Sequence, residues 1–354
     1  MEDSQYRRSE VPSESGTGKP PSGAGLLPPL SVLELALTEE GTSARDALAA
    51  VVSTARRAAE LGFRRVWVAE HHRYRPVGSV APSVLAAHLA ASAPGVRVGS
   101  GGVLLTNHSP LAVAEQFTTL AALHPGRIDL GIGRGPGTAD LDTIRLLRRG
   151  ADQATGQEYR ADLVELLGYL AHADTRRVLP GADTLPAPWL LSSGAAGAEL
   201  AAEFGLPLAF AHHIRPHNTL EAVGRYREQF KASRWCEQPR VLVSVETLCA
   251  PTDAEVARLG RPALLVMAAL LEGRGAETPL LSPEKAAAEP LDEALAHQLG
   301  QIRATQAYGT PDQVRRRLSD LASQTGADEL MLSTPVYAPE DRMRSLSLIA
   351  AAGS

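Results

Sequence analysis

The chain has 354 residues, 44% hydrophobic and only 4% aromatic, with 40 acidic against 35 basic side chains and a formal net charge of −5. That length can bury a sizeable core, as one large barrel or two small domains. Without a basic excess, nucleic acid and anionic membrane surfaces are poor partners. The two cysteines, Cys236 and Cys249, form neither a disulfide framework nor a metal-knuckle spacing, which suits a reduced, cytoplasmic protein.

Residues 1–28 hold Ser, Gly, Pro and charge without an apolar h-region. They read as a disordered N-terminal tail and not as a signal peptide. No segment reaches the roughly eighteen uninterrupted apolar residues of a membrane span. Leu30–Ala36 reads as a first strand, and the spacing of Leu48, Val51, Val52, Ala55, Ala58 and Ala59 predicts a helix that Gly62 stops. The apolar run Val66–Ala69 predicts a buried strand. Pro82 opens a helix that Pro94-Gly95 ends, Val96–Leu105 is a glycine-rich strand, and Pro110 opens the next helix. Arg127–Ile132 is a fourth strand, followed by a charged helical stretch over 141–171.

Further strands are expected at Trp189–Ser192, Pro207–Ala211, Val241–Leu248 and Glu329–Ser333. Helices at Ala195–Phe204, Thr219–Phe230, Asp253–Leu271 and Pro311–Gln324 separate them, and Gly273–Pro290 reads as a surface excursion. Eight strands alternating with helices predict an α/β fold, a single (β/α)8 TIM barrel over 29–354 with insertions after strands four and seven.

In a parallel barrel, sites are built where strands end at their carboxyl termini. Strand two ends on Glu70, His71 and His72; strand three leads to Asn107 and His108. Strand four leads to Arg134, strand five to Ser192, Ser193 and Gly194, and strand six to His212 and His213. Five of the ten histidines thus gather at one mouth. Two metal ligands from one strand must share a face, yet both histidine pairs are adjacent and point oppositely, so no metal is expected, although Glu70 shares a face with His72. Gly99, Gly101 and Gly102 within one strand suit either close approach to a flat ligand or a bulge at a tight corner. Arg134 among glycines, and Ser192-Ser193-Gly194 leading into a helix, suit an anion; the serines also suit a plain helix cap.

The motifs Trp67-Val-Ala-Glu-His-His72, Val98-Gly-Ser-Gly-Gly-Val-Leu-Leu105 with Asn107-His-Ser-Pro-Leu111, Ala114-Glu-Gln-Phe117, Pro125–Thr138 and Gly326–Met331 occur in linked order. Through them the chain resembles the bacterial luciferase-like flavin-dependent monooxygenases, over about residues 30–350. It is most similar to a short, single-chain branch often linked to natural-product pathways. The resemblance implies a barrel that uses reduced FMN, or in some relatives F420. It implies His71 as catalytic histidine with Glu70 beside it, and a cis peptide at Gly101-Gly102 beneath the flavin. It also implies phosphate binding by Arg134 and by Ser192, Ser193 and Gly194, with Asp140 and His212 lining the cofactor pocket. His72, Asn107 and His108 fall on the substrate side.

The implied reaction has free FMNH2 from a separate flavin reductase meet O2. A C4a-hydroperoxyflavin then oxygenates a small organic substrate, such as a natural-product intermediate. F420-dependent hydride transfer is the alternative, and a non-catalytic flavin-binding protein another. Relatives pair through helices of the first half, so a homodimer is expected. Gly133 stands where true luciferases carry a reactive cysteine, and the Ser192–Gly197 loop lacks a tyrosine frequent in close relatives. The family also places its phosphate earlier than the loops after strands seven and eight used by other barrels.

Overall fold

The computed structural model describes residues 27–171, 178–180 and 182–353; the expected tail therefore lies, up to residue 26, outside the described residues. The first half runs β1 (Leu30–Glu34), α1 (Ala44–Glu60), β2 (Arg65–Val68), α2 (Pro82–Ser92), β3 (Arg97–Leu104), α3 (Pro110–Leu123) and β4 (Ile128–Gly133). Then come α4 (Leu141–Leu147), α5 (Gly156–Leu170), β5 (Ala187–Ser192), α6 (Ala195–Glu203), β6 (Leu208–Ala211) and α7 (Thr219–Gln229). The last part holds β7 (Val241–Cys249), α8 (Asp253–Leu271), α9 (Pro283–Ala288) and α10 (Glu293–Ala304). It ends with β8 (Ala307–Gly309), α11 (Pro311–Thr325), β9 (Glu329–Ser333) and α12 (Pro339–Gly353).

Every strand pairing is parallel, in the order β6-β5-β4-β3-β2-β1-β9-β7, and β6 pairs with β7 to close the ring. The result is the (β/α)8 barrel expected, with β9 as its eighth stave. β8 lies outside the count: it pairs only with the extension Thr247–Cys249 of β7. Local chemistry marks the helix starts. Ser43 and Asp46 form a capping box on α1, Thr155 and Glu158 another on α5, and proline opens α2, α3 and α11.

Side chains alternate along each strand, and two layers follow from that period of two. Val66 and Val68 face outward into the layer between barrel and helices. Leu33, Trp67, Trp189, Ala209, Leu242 and Met331 face inward and fill the barrel. Below them, at the amino ends of the strands, the interior is charged. Arg65, only 1% exposed, donates to Asp129 at 2.8 Å and to both oxygens of Glu329 at 2.7 and 3.0 Å. Arg97 and the Trp67 indole also donate to Asp129, and Ser31 to Glu329. The Arg65 guanidinium lies 4.9 Å from the Trp189 ring centroid and 5.8 Å from that of Trp67. Ions removed from water persist only when so fully partnered.

Three expectations need correction. The stretch 141–171 is two helices, because the chain breaks between Leu147 and Gly156. The excursion Gly273–Pro290 is not purely a surface feature: it contains α9, and Leu280 is 2% exposed against Leu37 and Val77. The sequence reading also assigns no element to α10, β8 or α12.

Arg65→Met would leave two carboxylates buried without their cation, and urea unfolding should show a loss of about 3–5 kcal/mol. Arg258→Ala, which removes an exposed pair with Glu284, should change stability by less than about 1 kcal/mol in the same assay.

Candidate active site

At the carboxyl end of β2 alternation continues and sorts its two histidines, whereas after β6 the chain turns at His212. Trp67 and Ala69 face the interior, and His71 follows on their side. Its ring lies 6.1 Å from that of Tyr74, and its Nδ1 is buried without a hydrogen-bond partner. Burial, then the neighbouring His72, lowers its pKa against an opposing pull from Glu70. His71 is therefore a neutral imidazole at neutral pH, with its ring at the mouth.

Glu70 and His72 take the other face. Glu70, 2% exposed, accepts from Nε2 of His72 and Nε2 of His108 on one oxygen, both at 2.8 Å. Its second oxygen accepts from the Leu104 amide at 2.9 Å. Burial opposes the charge, yet these donors outweigh it and hold the carboxyl down at about 2. An ionised carboxylate only accepts, so both imidazoles present Nε2–H. Glu70 thus makes no hydrogen bond to His71 and acts on it through charge alone. The expected substrate residues His72 and His108 are tied into this network. Asn107 donates to the Pro136 carbonyl at 3.1 Å, while its Oδ1 is buried and unpartnered.

The glycines of β3 are explained by close packing. A Cβ at Gly99 would fall 2.3 Å from the Asp129 carbonyl oxygen, and at Gly102 2.7 Å from that of Gly131. A Cβ at Gly101 would fall 2.7 Å from Leu33. The register with β4 shifts between Gly101 and Val103, and the Gly101–Gly102 peptide is cis, where the resemblance implies one.

On the anion side, β4 and β5 are paired neighbours, so Arg134 and Ser192–Gly194 leave adjacent strands at one end. Arg134 is exposed; its guanidinium lies 3.8–3.9 Å from where a Cβ on Gly156, at the start of α5, would sit. No carboxylate pairs with it among the described residues. α6 begins at Gly194 without a side-chain cap, which leaves its first amides unsatisfied. A Cβ on Gly194 would meet only Asn218, at 4.0 Å, whereas one on Gly197 would fall 2.3 Å from the Ser192 hydroxyl, which lies against the first turn of α6. Ser192 bonds back to Gly194, and Asn218 donates to the Ser193 carbonyl. Uncapped amides, a positive helix end and a free guanidinium suit a phosphate monoester.

The two residues expected to line the cofactor pocket, Asp140 and His212, are both bonded to neighbours. Asp140 caps α4, accepting from the Thr143 amide and hydroxyl, and these bonds lower its pKa. His212 points outside the barrel wall: its ring nitrogens meet Thr219 at 2.8 Å and the Thr305 carbonyl at 2.9 Å. There it borders a cavity of about 330 Å³ with Val245, Arg317 and Leu321. His213 turns inward instead, and its Nδ1 lies 2.8 Å from the Ser244 hydroxyl. No sequence signal selects His213 over His212, because both lie in the turn after β6 and the choice is made by the Ser244 contact. A roof covers the rim on the β1 side. Leu37, Val77 and Leu280 pack together, with Tyr74 and Tyr337 against them, and Glu40 donates through its amide to the Leu280 carbonyl.

The profile of the luciferase-like monooxygenase family matches residues 31–329. The chain belongs to that family. It is 36% identical over 325 residues to a luciferase-like monooxygenase of Escherichia coli K12, covering 90% of this chain and 95% of that one. The crystal structure of apo-MsnO8 superposes with a TM-score of 0.85 at 37% identity, covering 92% of this chain and 98% of that one. The oxygenating constituent of 3,6-diketocamphane monooxygenase from Pseudomonas putida, solved with FMN, shares the fold at 19% identity and TM-score 0.66, covering 91% and 96%. As a luciferase-like monooxygenase the protein is an oxidoreductase. No described helix is long and apolar enough to cross a membrane.

Glu70 supplies a pH prediction. A folded pKa depressed to about 2 gives stability that is present above the ordinary value of 4.5 and lost as pH falls toward 2. Melting temperatures of wild type and Glu70→Gln should therefore differ most above pH 4.5 and converge as pH falls below it. A constant gap would contradict the network.

Proposed function

We propose that this luciferase-like monooxygenase uses reduced FMN and O2 to oxygenate a small organic substrate at the carboxyl end of the barrel. The observation that carries the reading is the donor set at the ends of β4 and β5. Arg134 and the uncapped amides of α6 form an anion seat beside a mouth that holds a neutral histidine. Arg134, Ser193 and Gly194 would hold the flavin phosphate, with the ring toward Gly101 and Gly102. The flavin, reduced by a separate reductase, supplies the electrons that activate O2. His71 is able to give or take a proton there, since its nitrogen is unpartnered and its charge is suppressed. Glu70 keeps the rim in place by holding His72 and His108. The apolar roof limits water at the mouth.

Arg134→Ala should weaken FMN binding by about 10–100-fold, the worth of a charge-assisted hydrogen bond. Riboflavin, which lacks the phosphate, should bind wild type and variant alike in the same fluorescence titration. His71→Ala should keep its FMN affinity while substrate oxidation falls by about 10²–10⁴-fold; an unchanged rate would remove its role. Binding of F420 in place of FMN would shift the reading to hydride transfer.

We also infer a homodimer through the first-half helices. α2 is apolar on its solvent side as well as its core side. Val84 is 70% exposed, Val80 just before the helix 51%, and Leu123 at the end of α3 67%. Val84→Glu should move the protein from dimer to monomer in size-exclusion chromatography with light scattering.

A further inference from the structure

His213 lies in the turn after β6, and its ring is held by Ser244 of β7, whose other hydroxyl contact favours one tautomer. Ser244, inward on β7, donates its single hydroxyl proton to the Phe210 carbonyl at 3.2 Å. Its oxygen can then only accept from the imidazole, so Nδ1 of His213 carries the hydrogen of the 2.8 Å contact. The His213 amide also donates to the Ser244 carbonyl at 3.1 Å, so ring and backbone are anchored to the same residue. With Nδ1 protonated, Nε2 carries a lone pair. No described residue bonds that nitrogen, and unlike Nδ1 of His71 it is not sealed from solvent.

In the ring order β1-β2-β3-β4-β5-β6-β7-β9, β2 and β6 stand opposite each other. His71 and His213 therefore face one another across the mouth. Burial pushes the His213 imidazole down to about 4; the Ser244 carbonyl opposes this, while His212 and His71 add to it. His213 is thus neutral near pH 7 and can accept a hydrogen bond. On the His71 side, the Tyr74 ring lies 6.1 Å from the imidazole and packs against the apolar Leu37, Val77 and Leu280.

We propose that His213, held by Ser244, is a specificity-determining acceptor, its Nε2 taking a hydrogen bond from an O–H, N–H or S–H group on an otherwise apolar substrate lodged opposite His71. A substrate of matching shape without that donor leaves the lone pair desolvated and unmatched, and so is rejected. Ser244 is the positioning residue, acting only by selecting the Nδ1–H tautomer. The proposal rests on the monooxygenase reading for the reaction that follows, but the state of the imidazole does not.

The test is nitrogen-detected NMR of protein carrying 15N-labelled histidine, recorded flavin-free and saturated with oxidised FMN. His213 should show a protonated Nδ1, an unprotonated Nε2 and a titration midpoint of about 4. Phenol and anisole are the probes, since they share a ring and differ in the donor. Phenol should displace the Nε2 signal and anisole should not. Ser244→Ala should mix the tautomers and weaken the phenol response about tenfold, the size of one neutral hydrogen bond. An Nε2–H tautomer in wild type, or equal displacement by both probes or by neither, would overturn the proposal. If FMN fails to bind while the tautomer and the phenol response hold in flavin-free protein, the flavin reading falls and this one stands.

Discussion

A single guanidinium, buried at the amino end of the barrel, is the constraint on which the remaining geometry depends. Arg65 enters from β2 and must find its carboxylates on β4 and β9. Slipping any of these strands by one residue would turn an ion outward and strand its partners in the interior. The charge is covered by Trp189 and Trp67, which also begin the apolar filling above it. Closing one end this way leaves the carboxyl end as the opening. It also fixes which residues of each strand look inward there.

The site is the upward continuation of that register. Trp67, Ala69 and His71 share one face of β2 and its extension; Leu242 and Ser244 share one face of β7; and His213, in the turn after β6, is bonded to Ser244. The ionisable residues left on the alternate faces have structural duties. Glu70, His72 and His108 knit the rim, and His212 is fastened between Thr219 and Thr305 outside the wall. Two histidines per strand end thus divide into one facing the mouth and one anchoring the loop.

Much of this was legible in the residues. Strand positions were readable within a few residues because each is a short apolar run ended by glycine, proline or charge, and the alternation of strands with helices predicted a barrel. The opposed directions of adjacent histidines followed from the pleat. After β6 no such rule operates, because the His212 amide donates to the Phe210 carbonyl and the chain turns there. Ser244 carried no signal, because a lone serine in an apolar strand has no meaning until the strand opposite its hydroxyl is known. β8 is three residues long and exists only because β7 outruns its barrel neighbours. In α10 just Leu299 is fully buried, so no apolar stripe announces the helix. Leu280 sits in a polar segment, and its burial is decided by Leu37 and Val77, distant in sequence.

The shared oxygen of Glu70 ties two loops of the opening to one buried anion. One anion clasps an imidazole from each of two successive loops and, through its other oxygen, the amide of Leu104. Parting those loops means stripping a dehydrated charge of several donors at once, so that arc behaves as a stiff collar. The segment around Leu280 is held by different means: apolar contacts with Leu37 and Val77, backbone bonds from Glu40 to Leu280 and from Arg75 to Ala276, and the exposed Lys285–Glu40 pair. Among the described residues no buried ion fastens it, so the dehydrated anion is confined to the loops that follow β2 and β3.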